Sequence, residues 1–548
     1  MKQKTKAKKG GRSKRREWMI GAGLIAYLIG LIIRIPLGRI IGDQRMGFFS
    51  VGMEVFTVIS IVLSYGLSKA VTVLIKYRVR REMFKSARRV YHNAMTMAVV
   101  AGALAAAGVF FFSEFIAETL VLEHMSYMAV AAAAPAVFLA VVMGVLRGYF
   151  QGMGTMIPTV HSKLLVNMIM FVSSLLAGSV LYRYGMKVAA LLRNQEYAAS
   201  YGAMGAAVGL SAACLFGLLH LLLIKMAYSG TFKQQLLRDT SKYTEANGQI
   251  VSMLLSTALP YMLCGLLYNM NYLADQRIYN YAVNLKEQGA SRAVHWGVYY
   301  GKYSVVIGIL AILCALVGTV GIPKIVQLYE KQERREVQFQ LGRYIHSMAV
   351  IAVPAAVLTA VLAEPAAGVL FTGDQKTAVT LIQAGSTVIL FFPFAYFFMG
   401  ILQRIRKMKD VIFGGLAAFL LHLVVLVLLL MNTSMGITAV ACGMIVFWLV
   451  SCAVGFIGVM RYLQYSQEWL RTFGITVIAA GISGLLGMLL SKALLPAGDI
   501  VTLLVCLIVC LIVYNLLLLL LKGVREEELE DMPGGRILIF LGEKLHLM

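Results

Sequence analysis

The chain has 548 residues, of which 59% are hydrophobic and only 14% charged, and it carries a formal net charge of +24. That composition leaves too little polar surface to cover a water-soluble globule, so the bilayer must be its solvent. The basic excess does not point to nucleic acid, because the Lys and Arg residues stand in short connections between apolar runs, where they orient helices.

The run from Lys2 to Arg16 holds nine basic residues and is read as a basic tail, 1–17, held at an anionic inner leaflet. The apolar stretch after it is long, has no small-residue cleavage site and ends in Arg34-Ile-Pro-Leu-Gly-Arg39. It therefore predicts an uncleaved first helix and not a signal peptide. Apolar runs of crossing length predict about 14 helices: 18–37, 49–75, 91–113, 126–146, 160–182, 201–224, 250–272, 300–320, 346–363, 378–401, 411–431, 436–459, 470–490 and 499–522. These runs lack the two-residue alternation of a membrane barrel. Pro135, Pro260, Pro354 and Pro393 fall inside them and predict kinks.

Charge tests this map independently. With each charge near a helix end assigned to the nearer face, 37 of the 50 Lys and Arg lie on the N-terminal side, 12 on the other, and one, Lys69, inside a span. The asymmetry predicts that both termini are cytoplasmic. The connection 114–125, with Glu114, Glu118 and Glu123 and no base, reads as outer.

The connections are too short to hold a catalytic fold, and no Walker A, HExxH or GxSxG sequence occurs. The seven cysteines all fall in predicted spans with no CxxC pair, which reads as packing and not as metal ligation or disulfides. The expectation is a transporter or channel, with no catalytic residue, no cofactor, no metal and no nucleic-acid partner.

Internal symmetry favours the transporter. The first helix runs into Ile41-Gly42-Asp43-Gln44-Arg45-Met46 and the seventh into Leu273-Ala274-Asp275-Gln276-Arg277-Ile278; Gly148 to Gln151 and Gly400 to Gln403 share a GxxQ after the fourth and tenth helices. Two six-helix halves in one orientation fit a rocking transporter with its site near the midplane. The lobes are then 18–224 and 250–459, joined by a cytoplasmic linker at 225–249 and followed by two further helices within 460–522 and a cytoplasmic tail at 523–548.

At this point the residues resemble a known family. Gly30 to Asp43, Tyr65-Gly-Leu-Ser68-Lys69-Ala70, Leu146-Arg147-Gly148-Tyr-Phe-Gln151-Gly followed by Pro158-Thr159, and Tyr201 to Gly205 look like the polysaccharide-exporter branch of the multidrug/oligosaccharidyl-lipid/polysaccharide (MOP) superfamily. Within it the likeness is to the stage V sporulation protein B and MurJ-type lipid II flippase families. The resemblance implies a MATE/MurJ-like fold in a bacterial plasma membrane. It also implies alternating-access transfer of an undecaprenyl-pyrophosphate-linked saccharide, with membrane lipids as further partners and helices 13 and 14 shaping a groove for the lipid tail. A monomer is expected, and a coupling ion is left open.

A pyrophosphate crossing a bilayer needs fixed cations in a hydrated cavity, and Arg suits phosphate because it stays charged and binds bidentately. Arg34 is read as a cargo contact and Arg39, four residues before Asp43, as its partner in a scaffold or gate pair. Lys69 is an intramembrane cation; snorkelling is the competing reading for all three cations. Asn271, Asp275 and Arg277 are the second-half candidates for sugar hydroxyls or a coupling cation, against a plain helix-end ion pair. Arg147, Gly148, Gln151 and Gln403 are read as structural or gating. Glu54 is the deepest carboxylate candidate for the alternative functions, a MATE-type multidrug or cation antiporter; a non-transporting cell-wall scaffold needs no cavity cations at all. His220 and His422 are read as packed residues before proton relays.

Overall fold

The structure, a computed structural model, describes residues 23–240 apart from 24, then 245–286 and 292–524. The expected basic tail at 1–17 and nearly all of the tail at 523–548 lie outside the described residues, as does the start of the first expected span. The described part of that span is helical over 25–32 and in α1 (Arg34–Ile41).

The chain continues through α2 (Asp43–Val79), α3 (Phe84–Phe111), α4 (His124–Gly152), α5 (Ile157–Leu192), α6 (Glu196–Ala227), α7 (Ser229–Arg238), α8 (Asn247–Leu285) and α9 (Arg292–Glu330). Then come α10 (Arg334–Val361), α11 (Ala363–Leu370), α12 (Gln375–Gly385), α13 (Val388–Arg404), α14 (Met408–Asn432), α15 (Thr438–Leu463), α16 (Leu470–Leu494) and α17 (Asp499–Leu520). Among the described residues 12 helices are long and apolar enough to cross a membrane, and α12 with α13 makes a thirteenth candidate. The protein is an all-α integral membrane protein. Val172, Leu176 and Val180 line one side of α5 and are each more than half exposed, whereas Ser174, Gly178 and Gly185 on the other side are buried. Hydrocarbon is the solvent that accepts the first side.

Contacts divide the chain into two compact units, Met1–Gly301 and Lys302–Met548, and the division falls inside α9. In the first, Phe48, Leu67, Met143, Leu146 and Ala203 belong to one core. In the second, α10, α16 and α17 meet around Val353, Ala479 and Leu518, where the Tyr514 hydroxyl donates to the Val350 carbonyl at 2.8 Å. Division by contact and division by repeat differ: α8, the seventh helix, opens the second half by repeat and lies in the first unit by contact.

Three expected boundaries change. The connection expected at 273–299 is largely helix, because α8 runs to Leu285 and α9 starts at Arg292. Its polar composition hid it, since Gln276 and Asn280 are as buried there as any apolar core residue. The second helix begins at Asp43 and not near residue 49, and Met46 to Val55 are buried in it. The span expected at 378–401 is broken, with α12 and α13 meeting at 51°.

The early start of α2 rests on a close approach. A Cβ on Gly47 would lie 2.0 Å from the Ala293 carbonyl oxygen, and one on Gly297 1.9 Å from that of Asp43. Two backbones therefore touch, as small residues permit in membrane helices. Gly47→Ala is expected to cost about 1–3 kcal/mol through overpacking, read as a lower melting temperature in detergent, while Gly108→Ala, whose Cβ meets nothing within 4 Å, leaves stability unchanged.

The turn from α2 to α3 is fastened to the segment before α8. Arg78 Nη2 meets Glu245 Oε2 at 2.5 Å, and the Ser86 hydroxyl donates to the same oxygen at 2.9 Å. Partial desolvation pushes the Glu245 carboxyl up, but the hydrogen bonds from Arg78 and Ser86 and the Arg78 charge outweigh it and hold the carboxyl below its ordinary 4.5. This contribution to stability is complete above pH 4.5 and is lost as the pH falls through the lowered value. Thermal unfolding across that acid range should show the loss in the wild type and not in Glu245→Gln.

Candidate functional site

The close approach of α2 and α9 sets Glu54, two turns further along α2, near Trp296 and Tyr300. Glu54 is 4% exposed, and Asn271 and Asp275, one turn apart on α8, are fully buried. The polar surroundings of Glu54 are Trp296, Asp275 and Arg34. Arg34 itself lies over the Tyr300 ring at 4.4 Å, a desolvated cation on an aromatic face. Trp296 continues into an aromatic wall with Tyr279 at 6.0 Å and Tyr299 at 5.0 Å.

This cluster holds polar capacity that the protein does not use internally. Neither carboxylate oxygen of Glu54 and neither amide atom of Asn271 has a hydrogen-bond partner among the described residues, and the Trp296 indole faces Glu54 without reaching hydrogen-bond geometry. Each such buried group costs about 1–3 kcal/mol, a cost that native structures concentrate at functional sites. Chemically, one arginine, two carboxylic acids, an amide and an indole can take a polyhydroxylated or phosphorylated ligand, or a cation.

A second cluster is made of bases. Lys163, under two turns into α5, stands within electrostatic reach of Arg147 on α4 and Lys69 on α2. Lys163 is surrounded by protein yet keeps an accessible side chain, and Lys69 and Arg147 are partly accessible, as residues lining a cleft are. Arg147 Nε donates to Ser162 Oγ at 2.9 Å and Gln151 Nε2 to Thr159 Oγ1 at 3.3 Å, so both also pin the α4–α5 turn. Gly148 lets α4 touch α2, since a Cβ there would lie 2.6 Å from the Ser68 carbonyl oxygen. Three like charges within reach of one another repel, so the site favours an anion.

Other expected residues go elsewhere. Arg39 and Asp43 are not on one helix: Gly42, at φ +80°, ends α1 between them, and Arg39 is exposed. The four-residue spacing therefore does not set them on a common face. Arg277 is exposed on the side of α8 away from Asp275 and donates to the carbonyls of Thr119 and Leu120, while Asn280 Nδ2 donates to that of Val121 at 2.8 Å. It clamps the helical segment Ile116–Val121. Nearby, Arg292 Nε bonds Glu123 Oε2 at 2.8 Å; burial pushes that carboxyl up, and Arg292 opposes the shift. Gln403 lies in the second unit, partly buried at the end of α13.

Two features escaped the sequence reading. Lys163 sits in a nearly apolar stretch near a helix end and was counted with the inner face; only its approach to Arg147 and Lys69 marks it. Lys302, counted with the outer face, is buried, with its ammonium donating to the carbonyls of Thr372 at 2.7 Å and Asp374 at 3.1 Å.

Residues 16–244, the stretch that supplies Arg34, Glu54 and the basic cluster, match the family of polysaccharide biosynthesis proteins. The chain is 22% identical over 535 residues to stage V sporulation protein B of Bacillus subtilis (strain 168), covering 95% of this chain and 98% of that one. It is also 22% identical over 479 residues to lipid II flippase MurJ of the same organism, covering 83% and 84%. In fold it is similar to lipid II flippase MurJ in an inward closed conformation, with a TM-score of 0.65, 12% identity and coverage of 91% of this chain and 97% of that one. It is likewise similar to an inward-facing multidrug resistance MATE family transporter of the MOP superfamily, with a TM-score of 0.64, 16% identity and coverage of 80% and 95%. The arrangement separates two kinds of cation by effect. Arg277→Gln is expected to lower the melting temperature, whereas Lys163→Gln does not lower it and reduces transport at least about tenfold, the effect of losing one charge-assisted contact of 1.5–3 kcal/mol.

Proposed function

We propose that this protein is a flippase that carries an undecaprenyl-pyrophosphate-linked saccharide across the bacterial plasma membrane by alternating access. The observation that supports it most is the cluster of Lys69, Arg147 and Lys163 on α2, α4 and α5 within one compact unit. Such a cluster costs folding energy through burial and mutual repulsion. A pyrophosphate cargo offsets that cost and also brings an apolar tail that never has to leave the bilayer. In this reading Arg34, Asn271 and Asp275 meet the saccharide or the second phosphate. The positive-inside charge pattern supports an orientation with both termini cytoplasmic, and the inward-to-outward direction is what the resemblance implies. Transport, not covalent chemistry, is the activity.

A MATE-type cation-linked antiporter is the second reading. It draws on one specific observation: Glu54 and Asp275 bring two buried carboxylic acids together, where the sequence alone offered a single weak candidate.

Leaflet-specific labelling of lipid-linked saccharides during depletion of the protein separates the two. The flippase reading expects outer-leaflet cargo to fall, and Arg34→Ala to fail in complementation while still reaching the membrane. Unchanged outer-leaflet cargo together with loss of dye efflux would favour the antiporter.

A further inference from the structure

The polar side of α3 has no part in the clusters above. Lys85, Arg88, Arg89, His92, Asn93 and Thr96 recur there at three- and four-residue spacing, which sets them on one helical face. They line a cavity of about 920 Å³ whose other wall includes Lys233 and Leu237 of α7. Among the described residues no carboxylate lines it. Two acids beside it are turned to other partners: Asp239 accepts the Lys85 backbone N–H at 2.6 Å, and Glu245 takes Arg78 and Ser86. Part of the lining is held in place, because Arg89 Nη1 donates to the Glu245 carbonyl at 3.0 Å and Asn93 Nδ2 to Asn247 Oδ1 at 3.2 Å.

The order of groups along the cavity indicates the ligand. At 1.5 Å per residue, about 16 Å of helix separates Lys85 from Thr96, so the cavity runs from the end of a membrane-spanning helix toward hydrocarbon depth. Along α3 the cations Lys85, Arg88 and Arg89 come first and His92, Asn93 and Thr96 follow, while Leu237, 86% exposed, offers apolar surface on the facing helix. A soluble anion needs the cations but not the exposed leucine beside them. A phosphate with attached acyl chains needs both.

We propose that this cavity binds the head group of an anionic phospholipid, its phosphodiester held by Arg88, Arg89 and Lys233 and its chains leaving along Leu236 and Leu237. Arg binds phosphate oxygens as a fork and Lys as a point charge. A lipid so held bridges α3 and α7, fixing the short amphipathic helix against the membrane-spanning one.

The test is lipid retention by the purified full-length protein, measured by native mass spectrometry with phosphatidylglycerol against phosphatidylcholine. At about fivefold per charge removed, R88Q/R89Q/K233Q is expected to weaken phosphatidylglycerol binding on the order of a hundredfold. K331Q/R334Q/R335Q removes as much charge elsewhere and should leave binding unchanged. Wild-type retention by the first variant, or equal loss in the second, overturns the site. Displacement of phosphatidylglycerol by inorganic pyrophosphate with no preference over phosphatidylcholine overturns the lipid assignment in favour of a soluble phosphate. R88K/R89K keeps the charge and should keep retention. If it too loses retention through misfolding, K233Q on the separate helix decides, with about a fivefold loss supporting the site and no loss overturning it.

Discussion

The organising constraint is the cost of placing charge in a medium that cannot solvate it. A lone ionised group in hydrocarbon must find a counter-charge, carbonyl dipoles, an aromatic face or water. The protein uses several of these solutions. Lys302 is held by two carbonyls and Arg34 lies on an aromatic ring. Arg277, outside the core, spends its donors on helix-end carbonyls. Lys69, over the Tyr65 ring, and Arg147, bonded to Ser162, also stand within electrostatic reach of Lys163, and it is this gathering of like charges that stability alone does not explain.

Close backbone contact is what brings the polar cluster together. The approach of Gly47 and Gly297 draws the starts of α2 and α9 into contact and thereby sets Glu54 beside Trp296 and Tyr300. The α8 extension then supplies Asn271 and Asp275 from a segment whose hydropathy is nearly neutral. A loop could not hold two polar side chains at full burial. A helix can, because its own backbone groups are already satisfied.

Legibility in the sequence followed the strength of the apolar signal. Spans such as 250–272 and 499–522 are readable because about twenty predominantly apolar residues have one stable state in a bilayer. The ends of α2, α8 and α9 were not, since polar residues at a helix end and polar residues in a loop look alike until a neighbouring helix covers them. Arg34, Asn271 and Asp275 were chosen as unexplained charges or a spacing of four, and they do converge in one cluster with Glu54. Arg39 and Asp43 shared the same spacing argument, but a single glycine with positive φ removes the helix on which it depended. Lys163 was passed over because position along the chain says nothing about which other cations a side chain will meet.

The sequence by itself determined that this is a helical membrane protein with a charge-oriented set of spans, because transfer of apolar and basic residues between water and lipid depends on composition alone. Only the tertiary structure decided which charges share a cavity, that a polar segment between two spans is buried helix, and that the basic face of α3 lines a pocket with α7. Those facts depend on which helices touch and at what angle, and contact between distant segments is set by packing of small residues, which no local pattern records.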